Sequence, residues 1–171
     1  MTVYRSGLAL LLASVMALPV AGADLFSVFL VRHAEKQVDT PPTGDPGLTP
    51  CGRQRAEHLA RGLAAVPLQR VYSSDYRRTV ATAMPVVVRG LKLEHYDPNG
   101  LPAVAERLLR RGEDALVVGH SNTTAVLAGL LAGTPGAAYD ESIYDRVYQV
   151  VVAGEQRRLY LFHQGFDCLP P

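Results

Sequence analysis

The stretch Phe26-Ser-Val-Phe-Leu-Val31 is almost unbroken in apolar residues yet only as long as a strand, and Ala115-Leu-Val-Val-Gly119 repeats the pattern late in the chain. Runs this short and this apolar fit strands buried on both faces, the signature of a parallel sheet packed between helices. The segments between them are amphipathic. Thr49-Pro50 is a cap followed by proline at the first helical position, and Ala56, Leu59, Ala60 and Leu63 form an apolar stripe, which predicts a helix from there to about Val66. Arg70-Val-Tyr72 reads as a second strand running into Ser73-Ser74-Asp75, three successive capping residues at the start of a second helix. A third strand over Leu91 to Tyr96, a helix over Leu101 to Arg111, and a helix capped by Ser121-Asn122 and ending near Gly133 continue the alternation. Arg146 to Ala153 and Arg157 to His163 read as a hairpin around Gly154-Glu155-Gln156. The fold class is α/β: a three-layer α/β/α sandwich with a mostly parallel central sheet and a terminal antiparallel hairpin.

The chain, 171 residues long, is the size of one domain. With 48% hydrophobic and 19% charged residues it has the means to bury a core. Its start reads differently. Arg5, the apolar run Gly7 to Val20 and Ala21-Gly22-Ala23 match the basic, apolar and cleavage regions of a secretory signal, predicting a signal over 1–23 and a folded domain over 24–171. The mature protein would then be periplasmic or secreted, with membrane contact only through an uncleaved signal. Removing 1–23 takes away Arg5 from a chain with 17 Lys and Arg and 16 Asp and Glu, leaving a neutral protein. Such a balance excludes a general affinity for nucleic acid or for an anionic membrane. Cys51 and Cys168 either pair, as an oxidising compartment permits, or sit apart as separate buried thiols; their spacing does not decide.

Ligands of open parallel sheets bind beyond the carboxyl ends of the strands. Three of those ends carry cationic or titratable groups: Arg32-His33, Ser73 to Arg78, and His120. Two arginines and two histidines at one buried edge repel one another and are costly to desolvate unless an anion joins them. The two helix N-termini expected at the same edge favour an anion as well. A phosphate group is the ligand this predicts.

Four blocks carry a family resemblance: Leu30-Val-Arg-His-Ala-Glu-Lys36, Leu48-Thr-Pro-Cys-Gly-Arg-Gln-Arg-Ala56, Tyr72-Ser-Ser-Asp-Tyr-Arg-Arg-Thr-Val-Ala-Thr-Ala83 and Val117-Val-Gly-His-Ser-Asn122. In type and order they resemble the motifs of the histidine phosphatase superfamily, the phosphoglycerate mutase-like proteins of branch 1. The resemblance implies a phosphomonoester hydrolase that works without cofactor or metal. In it His33 is the nucleophile that becomes phosphohistidine, and Arg32, Arg78 and His120 hold the phosphate. Arg78 is preferred to Arg77 because the family arginine stands five positions after the first serine of the pair, Ser73. Asn122 either caps its helix or touches phosphate, the cap being the expected role. The family's proton donor comes from the segment after the third strand, where Asp97 is preferred to Glu94 because it stands at the strand's end. Glu35 and Lys36 receive no role.

A mutase-like phosphotransferase, a metallohydrolase and a non-catalytic phosphate- or sugar-phosphate-binding protein are the rival readings. The short connection before the terminal hairpin counts against the first, the arginines beside any bound cation against the second, and the paired histidines against the third. With export, the implied substrate is a phosphorylated small molecule or an envelope sugar, as for the family's lipopolysaccharide heptose phosphatases.

Overall fold

The computed structural model describes residues 25–38 and 44–168. The signal expected over 1–23 lies outside the described residues. Among the described residues, no helix is long and apolar enough to cross a membrane.

Among the described residues ten elements follow one another: β1 (Leu25–Arg32), α1 (Pro50–Gly62), β2 (Arg70–Ser74), α2 (Arg77–Val87), β3 (Lys92–Tyr96), α3 (Leu101–Arg111), β4 (Ala115–Gly119), α4 (Thr124–Ala132), β5 (Arg146–Ala153) and β6 (Gln156–His163). They build one six-stranded sheet in the order β3-β2-β4-β1-β5-β6. The pairs β2–β3, β2–β4 and β1–β4 are parallel, while β5 runs antiparallel to β1 and β6 to β5. The three-layer architecture with a terminal hairpin is thus present as expected.

Two hydrophobic layers sandwich the sheet. Alternate residues of the central strands, Phe29 and Val31 of β1 and Leu116 and Val118 of β4, pack with Leu59 of α1 and Ala83 and Val86 of α2. The intervening residues, Val28, Leu30, Ala115 and Val117, pack with Val104 and Leu108 of α3 and Leu127 and Leu131 of α4. The period-two alternation of a strand therefore sends successive apolar residues to opposite layers, which is why the sequence runs are continuous.

Three departures from the sequence reading exceed a one-residue shift of a strand end. Ser73 and Ser74 do not start α2; both are fully buried in β2, where they pair with His95 and Tyr96 of β3. The strand wins because its place between β3 and β4 supplies backbone partners that a helix cap would forgo. The helix begins at Arg77 instead, and its first N–H is satisfied by the carboxylate of Asp45, at 2.9 and 3.2 Å, from a loop far away in sequence. Asn122 and Ser121 do not cap α4: its cap is Thr123, and residues 121–123 form a turn closed by Thr123 and Thr124 N–H groups donating to the His120 carbonyl. Helix α1 stops at Gly62, four residues short of Val66.

Candidate active site

The parallel register sets the site. Arg32 is level with Gly119 on the neighbouring strand, and Ser73 with Val118, so the chain leaves β1, β2 and β4 at nearly the same height. Arg32-His33, Ser74 to Arg78 and His120 to Thr123 consequently meet at one edge, around an open cleft of about 360 Å³. Its lining includes Arg32, His33, Arg78, His120 and Asn122 from the sequence reading, together with Lys36, Tyr76, Pro98, Asn99 and Glu141. Arg77 does not line it. Gly119 allows the convergence, since a Cβ there would stand 2.7 Å from the Tyr96 hydroxyl and 2.8 Å from Thr123 Oγ1.

His33 is 3% exposed and held from several sides. Its N–H donates to the Gly119 carbonyl at 2.8 Å, and the following Ala34 N–H donates to Thr82 Oγ1 at 3.0 Å. The ring Nδ1 lies 2.8 Å from the Ala34 carbonyl. A carbonyl only accepts, so Nδ1 carries the hydrogen and Nε2 keeps its lone pair. Burial, reinforced by the Arg32, His120 and Arg78 charges and opposed by the Ala34 hydrogen bond, pushes the His33 pKa down to about 3. The ring is neutral at any ordinary pH.

His120 faces it edge-on, with ring centroids 5.5 Å apart. Burial, then Arg78, Arg32 and Lys36, lower its pKa to about 4. Its Nε2 lies 2.8 Å from Ser74 Oγ, a hydroxyl that also donates to Thr79 Oγ1 at 3.1 Å, which leaves Nδ1 for a ligand. Each arginine is braced by a tyrosine that also approaches a histidine. Arg32 lies over the Tyr144 ring at 4.2 Å, and that ring is 6.1 Å from His33; Arg78 lies over Tyr76 at 4.5 Å, and that ring is 5.1 Å from His120. Such cation–π contacts hold a guanidinium in place without using its hydrogen-bond donors.

Those donors are only partly used. Arg32 Nη1 donates to the carbonyls of Glu141 and of Ile143, the latter at 3.1 Å, while its Nε is buried with no partner. Arg78 makes a 3.5 Å ion pair with Asp45 through Nη1, but Nη1 and Nε are both buried without a hydrogen bond. Buried guanidinium donors are normally satisfied, and here the oxygens of an anion in the cleft would complete them. Glu141 is the one carboxylate lining the cleft among the described residues, and it is paired with Lys36 at 3.4 Å.

Neither acid weighed from the sequence enters the cleft. Asp97 stands at the end of β3 as expected, but its carboxylate folds back to accept from Asn99 N at 2.9 Å and Asn99 Nδ2 at 3.2 Å, and it borders a separate hollow beside His95 and Gly100. The turn it makes brings Asn99, not Asp97, to the cleft wall. Glu94 is engaged by Arg70 and Arg111 at 3.1 and 2.9 Å. One cluster of three possible metal ligands occurs among the described residues, Glu35, Cys51 and Cys168. Its two sulfurs are bonded to each other, with Cα atoms 5.6 Å apart, and so offer no thiolate.

The sequence reading missed Tyr76, Asn99, Glu141 and Tyr144. Tyr76 sits inside a motif block and was within reach of the argument that found Arg78. The others lie in loops whose course depends on the finished fold.

This geometry has relatives. The family model of the histidine phosphatase superfamily (branch 1) matches residues 28–98. Over that segment the chain is similar to the histidine phosphatase superfamily. A 61-residue stretch is 36% identical to the rat (Rattus norvegicus) 6-phosphofructo-2-kinase/fructose-2,6-bisphosphatase 4, taking in 33% of this chain and 13% of that protein. Among solved structures, the protein histidine phosphatase SixA complexed with tungstate superposes with a TM-score of 0.67 at 19% identity, covering 81% of this chain and 97% of that one. The alpha-ribazole phosphatase from Shigella flexneri gives 0.63 at 16% identity over 81% and 96%. The mycobacterial glucosyl-3-phosphoglycerate phosphatase gives 0.63 at 16% over 82% and 100%. At these identities the structural likenesses establish a shared fold.

Proposed function

We propose that the protein hydrolyses a phosphomonoester in two steps through a phosphohistidine on His33. The observation that carries the reading is the His33 ring: neutral, with Nδ1 committed to a carbonyl and Nε2 unprotonated, inside a cleft of buried cations with unfilled donors. In the first step Nε2 bonds to phosphorus as the ester oxygen departs with a proton. In the second, water takes the phosphoryl group and Nε2 is released. Arg32, Arg78 and His120 hold the phosphoryl oxygens through both steps, with Asn122 at the cleft wall as a further neutral donor. The two guanidinium groups supply the charge that a metal ion supplies elsewhere, with the His120 ring neutral beside them. For the proton we assign Glu141 in place of Asp97, because it is the carboxyl group that lines the cleft.

A phosphorylated small molecule is the substrate we favour; the named substrates of the Shigella and mycobacterial phosphatases are of that kind. Export to the periplasm or beyond is part of the proposal, and the Cys51–Cys168 bond is in keeping with it. The test is turnover of a panel of sugar phosphates, other phosphomonoesters and phosphohistidine peptides by wild type and His33→Ala. The variant should lose more than 10³-fold in kcat while still binding orthovanadate. Turnover within tenfold of wild type would sink the mechanism.

A further inference from the structure

Next to His33 in the chain, but outside the cleft lining, is an ion pair that the reaction does not use. Glu35 follows His33 by two residues, and its Oε1 accepts from Arg55 Nε at 2.8 Å and Nη2 at 2.7 Å. Both side chains are largely buried, at 17% and 8% exposure. The Glu35 backbone is seated on the start of α1: its carbonyl accepts from Thr49 N at 2.9 Å, and a Cβ on Gly52 would stand 2.3 Å from that same oxygen. The contact is so close that only glycine fits.

The chain after β6 returns to cover this pair. Gln164 N donates to the Asp145 carbonyl at 2.7 Å, Arg55 Nη1 donates to the Phe166 carbonyl at 3.1 Å, and the Phe166 ring lies 5.1 Å from the Arg55 guanidinium and 5.4 Å from the His58 ring. Cys168 is then bonded to Cys51, in the first turn of α1 and 117 positions away in sequence. Without that bond the tail would be held by a few contacts at a chain end, where order is ordinarily weakest. An ion pair this enclosed depends on its cover, because water admitted beside it weakens the attraction that holds the two elements together.

We propose that Glu35, Arg55 and the disulfide-tethered tail form a clamp that fixes the His33 loop, and that opening Cys51–Cys168 slows phosphoryl transfer without emptying the phosphate pocket. Arg55 is then a positioning residue. Opening takes a thiol reductant: two electrons and two protons convert the S–S bond to two thiols, and the reductant leaves as its own disulfide. The inference rests on His33 being the nucleophile, since only a reacting atom makes small displacements costly. A misplacement of about 1 Å can cost about 10²-fold in rate.

The test is to reduce the wild-type protein with dithiothreitol, with mass spectrometry to establish that both thiols are free, and to measure steady-state kinetics and amide hydrogen exchange. The kcat should fall about tenfold with KM within twofold, a pattern that global loosening would not give. Reoxidation should restore it. Exchange at residues 33–36 should rise together with that at 164–168. Arg55→Lys, with the disulfide intact, should reproduce the kcat loss, which keeps the proposal testable if the reduced protein unfolds. An unchanged kcat in the fully reduced protein overturns the clamp. If no phosphomonoester is turned over at all, the proposed function fails while exchange still reads the clamp: protection at 33–36 that is indifferent to reduction overturns it independently.

Discussion

The two ends of the parallel strands treat their arginines in opposite ways. At the far end from the cleft, Arg70 meets Glu113 at 2.9 Å and Glu94 at 3.1 Å, and Arg111 shares Glu94 at 2.9 Å. Each of these four charges has a counterpart. Glu113 is held below the usual carboxylate range by its hydrogen bond to Arg70, and Glu94 likewise, the Arg111 and Arg70 contacts outweighing the opposing effect of burial. At the cleft end, Arg32 is buried and Arg78 largely so, both with donors to spare and braced by tyrosine rings; Asp45 stands 3.5 Å from Arg78, and Glu141 is the carboxylate among the described residues that lines the cleft. Matched charges are what a fold needs for itself, whereas buried cations with unfilled donors are poised for something that comes and goes.

The sharpest way to break this comparison is to remove one arginine from each end. Arg78→Ala should lower kcat/KM by about 10²–10³-fold, the loss typical of one donor to transition-state charge, while thermal stability stays level or rises because a poorly matched buried cation is gone. Arg70→Ala should leave kcat/KM within twofold and lower Tm by about 2–4 °C, the shift that about 1 kcal/mol produces in a chain of this length, after allowance for the screening of a partly exposed pair. The reverse pattern in kinetics and calorimetry would mean that the matched end, not the cleft, is the working one.

A smaller effect separates the two acids. Glu141→Gln should slow an alkyl phosphate about tenfold or more while slowing nitrophenyl phosphate much less, because nitrophenolate leaves without a proton. Asp97→Asn should affect both substrates equally and slightly, through its turn with Asn99. Leaving-group dependence in Asp97→Asn alone would restore Asp97 as the donor.

The pH dependence of stability sharpens the contrast further. A histidine whose folded pKa is about 3 against an ordinary 6.5 binds its proton more readily when unfolded, so its contribution is complete above pH 6.5 and is lost as pH falls towards 3. Between those limits His33 alone contributes a slope of up to about 1.4 kcal/mol per pH unit. His33→Gln should flatten the decline of Tm with acid over that window, and an unchanged decline would contradict a buried neutral ring. The smallest effect expected is that of exhaustive chelation, which should leave kcat within error; loss on chelation with recovery on one divalent ion would replace the arginines with a metal.

Much of this was legible in the sequence wherever local pattern and long-range packing agree. The extents of α3 and β4 match the expectation residue for residue, because an apolar period of one kind runs unbroken from end to end. Arg32, His33, Arg78, His120 and Asn122 reach one cleft because strand ends in a parallel sheet are forced to a common edge. Where local and tertiary signals compete, the local one loses. Ser73-Ser74 look like caps but are drawn into β2 by partners on both sides, and the helix takes its cap from Asp45 across the fold. The Asp97 carboxylate lies outside the cleft lining for a related reason: strand position fixes its backbone, but a turn two residues on decides where its carboxylate goes. The Cys51–Cys168 pairing and the placement of Glu141 and Tyr144 depend on how the last loops return to the sheet, and nothing periodic records that.

The central claim is that phosphate passes through His33, and trapping the intermediate tests it most directly. Protein mixed with a labelled phosphomonoester and quenched in alkali within milliseconds should carry up to one phosphoryl group per chain, stable to base and labile to acid, on the peptide containing Arg32-His33-Ala34. His33→Ala should carry none. Label on another residue, or turnover at full rate with no label at any quench time, would contradict the account.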